Sequence, residues 1–336
     1  MKLAIIILWS EPWGGAGKTG GLITAGANLA EELGADLFYC PPSERRKRRP
    51  AHHQAYEFRT VQRVLDEKYD FVIFTSAGHF KDHSNETSAV QHIIDRLDSF
   101  PPFAVQVHDE VEVRQLARRS HFFDSPQFRF ALPITEEIGK RTLTPSVKRM
   151  VYPAYKKRIE KAPNASARTI GMTGRMAARK NTIPFLERAA PALISRGWEV
   201  RIHGAEVNFF YARDAKRVAQ DVGAKYCGPY DDADVILRQL QWHVNIPYLK
   251  RGNFIPRIEI ATVEAAAAGC GIITLYESTP SFYRTVCPEW SKLESIAEQI
   301  EGLDADAANS MFIADFNERH VGLVNLLQSN IEKAIA

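Results

Sequence analysis

The strongest constraint on this chain is a rhythm in which short apolar runs alternate with segments of helical period, twice over. The first series runs LAIIIL, GLITAGANLAEELG (closed by Gly34), ADLFYC, AYEFRTVQRVLDEK, FVIFT, AVQHIIDRLDSF and FAVQVHD. Apolar runs of this length, rich in Ile, Val and Phe, read as buried strands, and the segments between them as crossover helices, so a parallel sheet is predicted. Residues 152–168, YPAYKKRIEKAPNASAR, are polar, carry two prolines and lack periodicity, and read as a connection. After it the rhythm restarts with TIGMTG, TIPFLERAAPALISRG, EVRIHG, FYARDAKRVAQDVG, AKYCG, a helix around ADVILRQL, WHVNI, RIEIATVEAAAAGC and GIITLY. Two helical stretches, Trp290–Leu303 and Phe316–Ile335, close the chain. The 336 residues suffice for two domains. The expected layout is an amino-terminal domain over 1–155, a linker over 156–168, a second domain over 169–315, and a helix over 316–336 packing back on the first domain. The fold class is α/β, with two doubly wound Rossmann-like domains facing a central cleft and ligands at the carboxyl ends of both sheets.

Composition removes several alternatives. Hydrophobic residues make up 45% of the chain and charged residues 25%, the profile of a soluble globular protein. No apolar run approaches the ~20 residues of a membrane span. The first apolar run carries Lys2 and leads into Trp9-Ser10-Glu11-Pro12 with no small-residue cleavage site, so it reads as a strand rather than a signal peptide, and a cytoplasmic location is expected. Cys40, Cys227, Cys270 and Cys287 are widely spaced, as free thiols in a reducing compartment would be. The histidines are scattered too, so no metal site is expected. The net charge of +3 is unevenly spread. Arg45, Arg46, Lys47, Arg48 and Arg49 are consecutive, Arg114, Arg118 and Arg119 follow, and further basic clusters occupy 139–142 and 147–158, all in the first half. Such runs are either solvated surface or the footprint of a polyanion such as nucleic acid.

The segment EPWGGAGKTGGL, between the first strand and the first helix, ends like a nucleotide-binding P-loop. A P-loop needs a glycine five residues before its Gly-Lys, and here Pro12 stands at that position. Gly14, Gly15, Gly17 and Gly20 therefore read as a loop whose backbone approaches a phosphate or a sugar, with Lys18-Thr19 a look-alike.

Two motifs in the second half carry chemistry. In GMTGRMAARKN, Arg175 and Lys180 lie in a loop between a strand and a helix, where two cations could hold a diphosphate or simply face solvent. In RIEIATVEAAAAGCGIITLY, Glu259 and Glu264 border a small-residue helix, where a carboxylate could accept hydrogen bonds from sugar or ribose hydroxyls or serve the helix dipole.

Taken in order, Gly-Arg-x4-Lys, a strand ending in glycine, and glutamates at an Ala-rich helix resemble the retaining GT-B glycosyltransferases that use nucleotide sugars. In the larger family two glutamates stand eight apart. Here Pro256 falls where the first would be, and Glu259 precedes Glu264 by five, a spacing similar to that of the phage DNA alpha-glucosyltransferases of T-even type. AVQVHDEVEVRQLARR, GRMAARKN, HGAE and YLKRGNFIPRIEIATVEAAAAGC resemble segments of those enzymes in the same order. The resemblance implies a GT-B fold and transfer of a sugar from a UDP-sugar donor, without a metal, to the hydroxyl of a 5-hydroxymethylpyrimidine in duplex DNA, with retention. It assigns Asp109 and His108 to the reacting sugar and acceptor, either one assisting proton transfer. Arg175 and Lys180 would neutralise the diphosphate, Glu264 would hold the ribose and Glu259 the sugar. Glu206, in HGAE, would line the donor site or sit on a surface loop. DNA would cross the basic first half, and a monomer in the cytoplasm of an infected host is implied. A glycan or lipopolysaccharide transferase of the same fold, and a non-catalytic nucleic-acid or nucleotide binder, remain as alternatives.

Overall fold

The computed structural model describes residues 1–7, 21–39, 61–75, 93, 95–107, 121–143, 145–152, 167–206, 208–230, 232–247, 259–279 and 286–336. Among them run ten strands: β1 (Leu3–Ile7), β2 (Asp36–Tyr39), β3 (Phe71–Thr75), β4 (Phe103–Val107), β5 (Phe128–Pro133), β6 (Thr169–Thr173), β7 (Glu199–His203), β8 (Lys225–Gly228), β9 (Trp242–Asn245) and β10 (Gly271–Thr274). They form two five-stranded sheets, ordered β2-β1-β3-β4-β5 and β10-β9-β6-β7-β8. All neighbouring strands in both sheets are parallel. Every residue of β1, β3 and β4 is buried, as strands covered by helices on both faces require.

The chain divides into two compact units, one of residues Met1–Lys157 with His320–Ala336 and one of Arg158–Arg319. In the first, Leu3, Ile5 and Ile7 pack with Phe71, Phe130 and Leu132, and with Leu327 and Ile331 of the carboxyl-terminal helix. Arg129 Nε donates to the Ala334 carbonyl at 3.3 Å. In the second, Ile170, Val200, Ile202, Trp242 and Val244 of the sheet pack with Phe185, Leu186 and Leu193 of the covering helices.

Three local features depart from the sequence reading. Strand β5 and the helix Glu136–Thr142 occupy a stretch read only as part of the basic region. β5 is an edge strand, where Pro133 costs no ladder bond, and Thr135 starts the helix by accepting from the Ile138 amide at 3.1 Å. TIPFLERAAPALISRG forms two helices, Thr182–Arg188 and Ala190–Ser195, because Pro191 removes an amide that a continuous helix would need. The final helix runs Ala305–Ile335 and begins well before Phe316. Asp304 sets that start by accepting from the Asp306 amide at 2.9 Å. Asn309 then anchors the helix through bonds to the Ala266 and Cys270 carbonyls, at 2.9 and 2.7 Å.

Candidate donor site at the carboxyl edge of the second sheet

In the second sheet β6 is flanked by β7 on one side and by β9 on the other, so the strand order reverses between β6 and β9. Crossovers leave this point in opposite directions and open a crevice at the strand ends, the place where doubly wound sheets bind ligands. Thr173 ends β6 and Asn245 ends β9. Beyond Thr173 the chain turns through Gly174, whose φ of 129° lies in the region that favours glycine. It then passes through Arg175 into a short 3-10 turn, Ala178–Lys180.

Backbone bonds hold this loop against the one after β7. The Gly174 amide donates to His203 at 3.1 Å, the Met176 amide to Ala205 at 2.9 Å, and the Gly204 amide to Gly228 at 2.8 Å. A Cβ on Gly204 would come within 1.9 Å of the Gly174 carbonyl oxygen, so the glycine of HGAE permits a close approach of two backbones.

The side chains converge at the same edge. The Lys180 ammonium forms an ion pair with Glu259, which lies 79 positions away, and both side chains are mostly buried. Glu259 stands at the N-cap of the helix Ile260–Ala267 but makes no capping bond with its side chain, so its carboxylate serves Lys180 rather than the helix. Asn181, in the left-handed region at φ 55°, donates from Nδ2 to the Ile246 carbonyl at 2.7 Å and fixes the loop to the chain after β9. Asn245 Nδ2 donates to Thr262 Oγ1 at 2.6 Å, tying β9 to the glutamate helix.

Beneath the ion pair, His243 on β9 is fully buried, and its Nε2 lies 3.0 Å from Thr173 Oγ1. Burial, with the nearby Lys180 charge, pushes its pKa down to about 3, so the ring is neutral at physiological pH. Thr173 also hydrogen-bonds the Tyr230 phenol, whose pKa burial and the Glu264 charge push up to about 12. The Tyr230 ring stands edge-on to His203, 6.4 Å between centroids.

Glu264 lies in the second turn of its helix, beyond the reach of an N-terminal capping role. Solvent reaches it, yet the surrounding protein desolvates its carboxyl enough to push the pKa up to about 7. The open surface limits the size of that shift by screening, and its direction stands. The folded chain therefore holds this proton more tightly than the unfolded chain, and stability is lost as pH rises from about 4.5 through about 7. Urea midpoints at pH 5 and pH 8 are expected to fall more in the parent protein than in Glu264→Gln. Equal falls would assign the slope to other groups.

Of the residues singled out in the sequence, the structure joins Lys180 to Glu259, sets Arg175 half-buried in the same loop as Lys180, and puts Glu264 on the helix that follows Glu259. Glu206 is exposed and accepts from the Tyr226 phenol at 3.2 Å, beside edge strand β8. His243, Thr173, Tyr230 and Asn181 had not been singled out. The available signal was a histidine and an asparagine inside WHVNI, a run otherwise suited to burial on both faces. Gly14, Gly15, Gly17 and Gly20, the basic run 45–49, His108, Asp109, Arg114, Arg118 and Arg119 lie outside the described residues. Among the described residues no group of three or more His, Cys, Asp or Glu could hold a metal ion, and no helix is long and apolar enough to cross a membrane. The triplets Asp232-Ala233-Asp234 and Asp304-Ala305-Asp306 are spent on helix starts, the first aspartate of each accepting from the amide of the second.

No protein-family model matches the chain, and no curated protein is similar to it in sequence. Solved structures are similar in fold. An alpha-glucosyltransferase in complex with UDP and a 13-mer DNA containing an HMU base superposes with a TM-score of 0.66 at 12% identity, over 100% of this chain and 99% of the other. Anabaena HepE in complex with UDP gives 0.66 at 13% identity, over 99% and 100%. AviGT4, a glycosyltransferase involved in avilamycin A biosynthesis, gives 0.57 at 16% identity, over 99% and 98%. With its two parallel doubly wound sheets, the chain has the GT-B fold.

Proposed function

We propose that the protein is a retaining glycosyltransferase that moves a sugar from a UDP-sugar donor to the hydroxyl of a 5-hydroxymethylpyrimidine base in DNA. The observation that carries the donor half is the Lys180–Glu259 pair at the switch point of the second sheet. Without ligand each charge satisfies the other. With donor present, Lys180 and Arg175 would take the diphosphate, whose negative charge grows as the sugar leaves, and Glu259 would accept from sugar hydroxyls. Glu264 would hold the ribose. The two cations would supply the neutralisation that a metal gives elsewhere, so transfer is expected to persist in excess chelator. Activity lost in chelator and restored by one divalent ion would overturn this.

The acceptor half rests on the sequence. The glycine loop 14–20 follows β1, and His108-Asp109 follows β4, so both leave the carboxyl edge of the first sheet. The basic runs of the first half would bind backbone phosphates and so help to offset the few kcal/mol needed to extrude a base from a duplex. Whole-chain likeness to a glucosyltransferase crystallised with DNA supports this choice. The test is mass spectrometry of nucleosides after incubating the protein with hydroxymethylated duplex DNA and a panel of nucleotide sugars. A glycosylated hydroxymethylpyrimidine is the expected product.

A second reading, transfer to a glycan, is favoured by the equal TM-score of HepE. Transfer to oligosaccharides with DNA left untouched would select it. Neutralising Arg45, Arg46, Arg48 and Arg49 together separates the two further. On the DNA reading, affinity for DNA falls, UDP affinity holds, and the salt slope drops by roughly 0.9 for each phosphate that is no longer neutralised. An unchanged slope would make this run solvated surface.

A further inference from the structure

A histidine buried under a cluster of charges, on a strand that could have been wholly apolar, calls for a physical reason. His243 Nε2 is 3.0 Å from Thr173 Oγ1, and Nδ1 is buried with no partner. A buried N–H without an acceptor costs more than a buried lone pair, so the proton belongs on Nε2, which donates to Thr173. The single hydroxyl hydrogen of Thr173 is then free to donate onward. Its hydrogen bond with Tyr230 favours the charged form of the phenol, as a donor to the phenol oxygen does. The chain has one direction: imidazole to threonine, threonine to tyrosine. Tyr230 receives at its oxygen and must send its own hydrogen elsewhere, and Glu264 is the carboxylate whose charge reaches it.

We infer that His243 is a positioning residue for the nucleoside end of the donor site: through Thr173 it orients the Tyr230 hydroxyl to donate toward Glu264, which in turn sets that carboxylate to accept the vicinal ribose hydroxyls. The inference rests on the donor-site reading above and adds a specificity device to it, one that separates a ribonucleotide from its 2′-deoxy form. The faces packed on His243 contribute Thr173 from β6, Lys180 from the loop that follows it and Glu259 from the start of its helix. These charges keep the ring a one-proton donor instead of a cation.

Calorimetric titration of UDP, 2′-deoxy-UDP and inorganic pyrophosphate into the full chain tests the inference. The parent protein is expected to bind UDP about tenfold more tightly than the deoxy form, on the scale of one hydrogen bond in a partly desolvated site. Thr173→Val and Tyr230→Phe should abolish that preference and leave pyrophosphate affinity within roughly twofold. Thr173→Ser and His243→Gln each keep the donor or hydroxyl in place and should retain the preference. Equal preference in Thr173→Val, or parallel loss of UDP and pyrophosphate in it, would make the chain structural and overturn the inference alone. A parent protein that binds neither UDP nor pyrophosphate would overturn the donor-site reading and this inference with it.

Discussion

Lys180→Met is expected to lower kcat/KM for sugar transfer by about 10²–10³-fold, the scale seen when one preorganised charge-stabilising group is removed. Two effects add. The variant loses the cation set to meet the diphosphate as its charge grows, an effect on the transition state. It also leaves Glu259, whose side chain is only 14% exposed, without its counter-charge. An unpaired carboxylate in such a place destabilises the fold and would repel an anionic donor. The double variant Lys180→Met/Glu259→Gln separates the two. Removing the orphaned charge should restore the melting temperature, while turnover stays low because neither group can serve the donor. Steady-state kinetics and thermal unfolding on the two variants decide the matter. A kcat/KM within about threefold of the parent in Lys180→Met would place the diphosphate elsewhere.

The parts of this fold legible in the sequence are those where burial on two faces leaves no choice of residue. LAIII, FVIFT and FAVQV admit almost nothing polar, and each is a strand buried along its length. Strand β5 escaped because an edge strand can mix Arg129 and Pro133 with Phe and Leu, and the neighbouring cations read as surface. The long final helix escaped at its start because DADAANS carries too few large apolar residues to show a period, and its position depends on Asn309 reaching carbonyls far away in sequence. The donor site divides in the same way. Lys180 and Glu259 each stood out by charge at a helix entrance, but their pairing, 79 residues apart, follows from sheet order alone. His243, Thr173 and Tyr230 gave no motif, because a chain of single hydrogen bonds between three segments leaves no spacing to read.

Asp109→Asn is expected to remove sugar transfer, by about 10²–10⁴-fold, the range associated with one general acid or base. Strand β4 is an inner strand of the first sheet and ends at Val107, whose carbonyl accepts from the Ile134 amide at 3.0 Å. His108 and Asp109 therefore leave a fixed point at the carboxyl edge, where a doubly wound unit presents its functional groups. A carboxylate there can accept the proton of an acceptor hydroxyl or orient it for attack, while the amide of asparagine keeps the size and part of the hydrogen bonding but cannot take the proton. The donor groups proposed above all belong to the second unit, so UDP affinity should stay within roughly twofold, as for separated sites that share no partner. The two measurements are calorimetric titration of UDP and transfer to hydroxymethylated DNA. Near-normal transfer would reduce Asp109 to a residue that ends its strand and give the proton to another group. Loss of UDP binding along with transfer would make Asp109 a donor ligand. Only lost transfer with donor binding intact places Asp109 at the acceptor hydroxyl, as the proposed reaction requires.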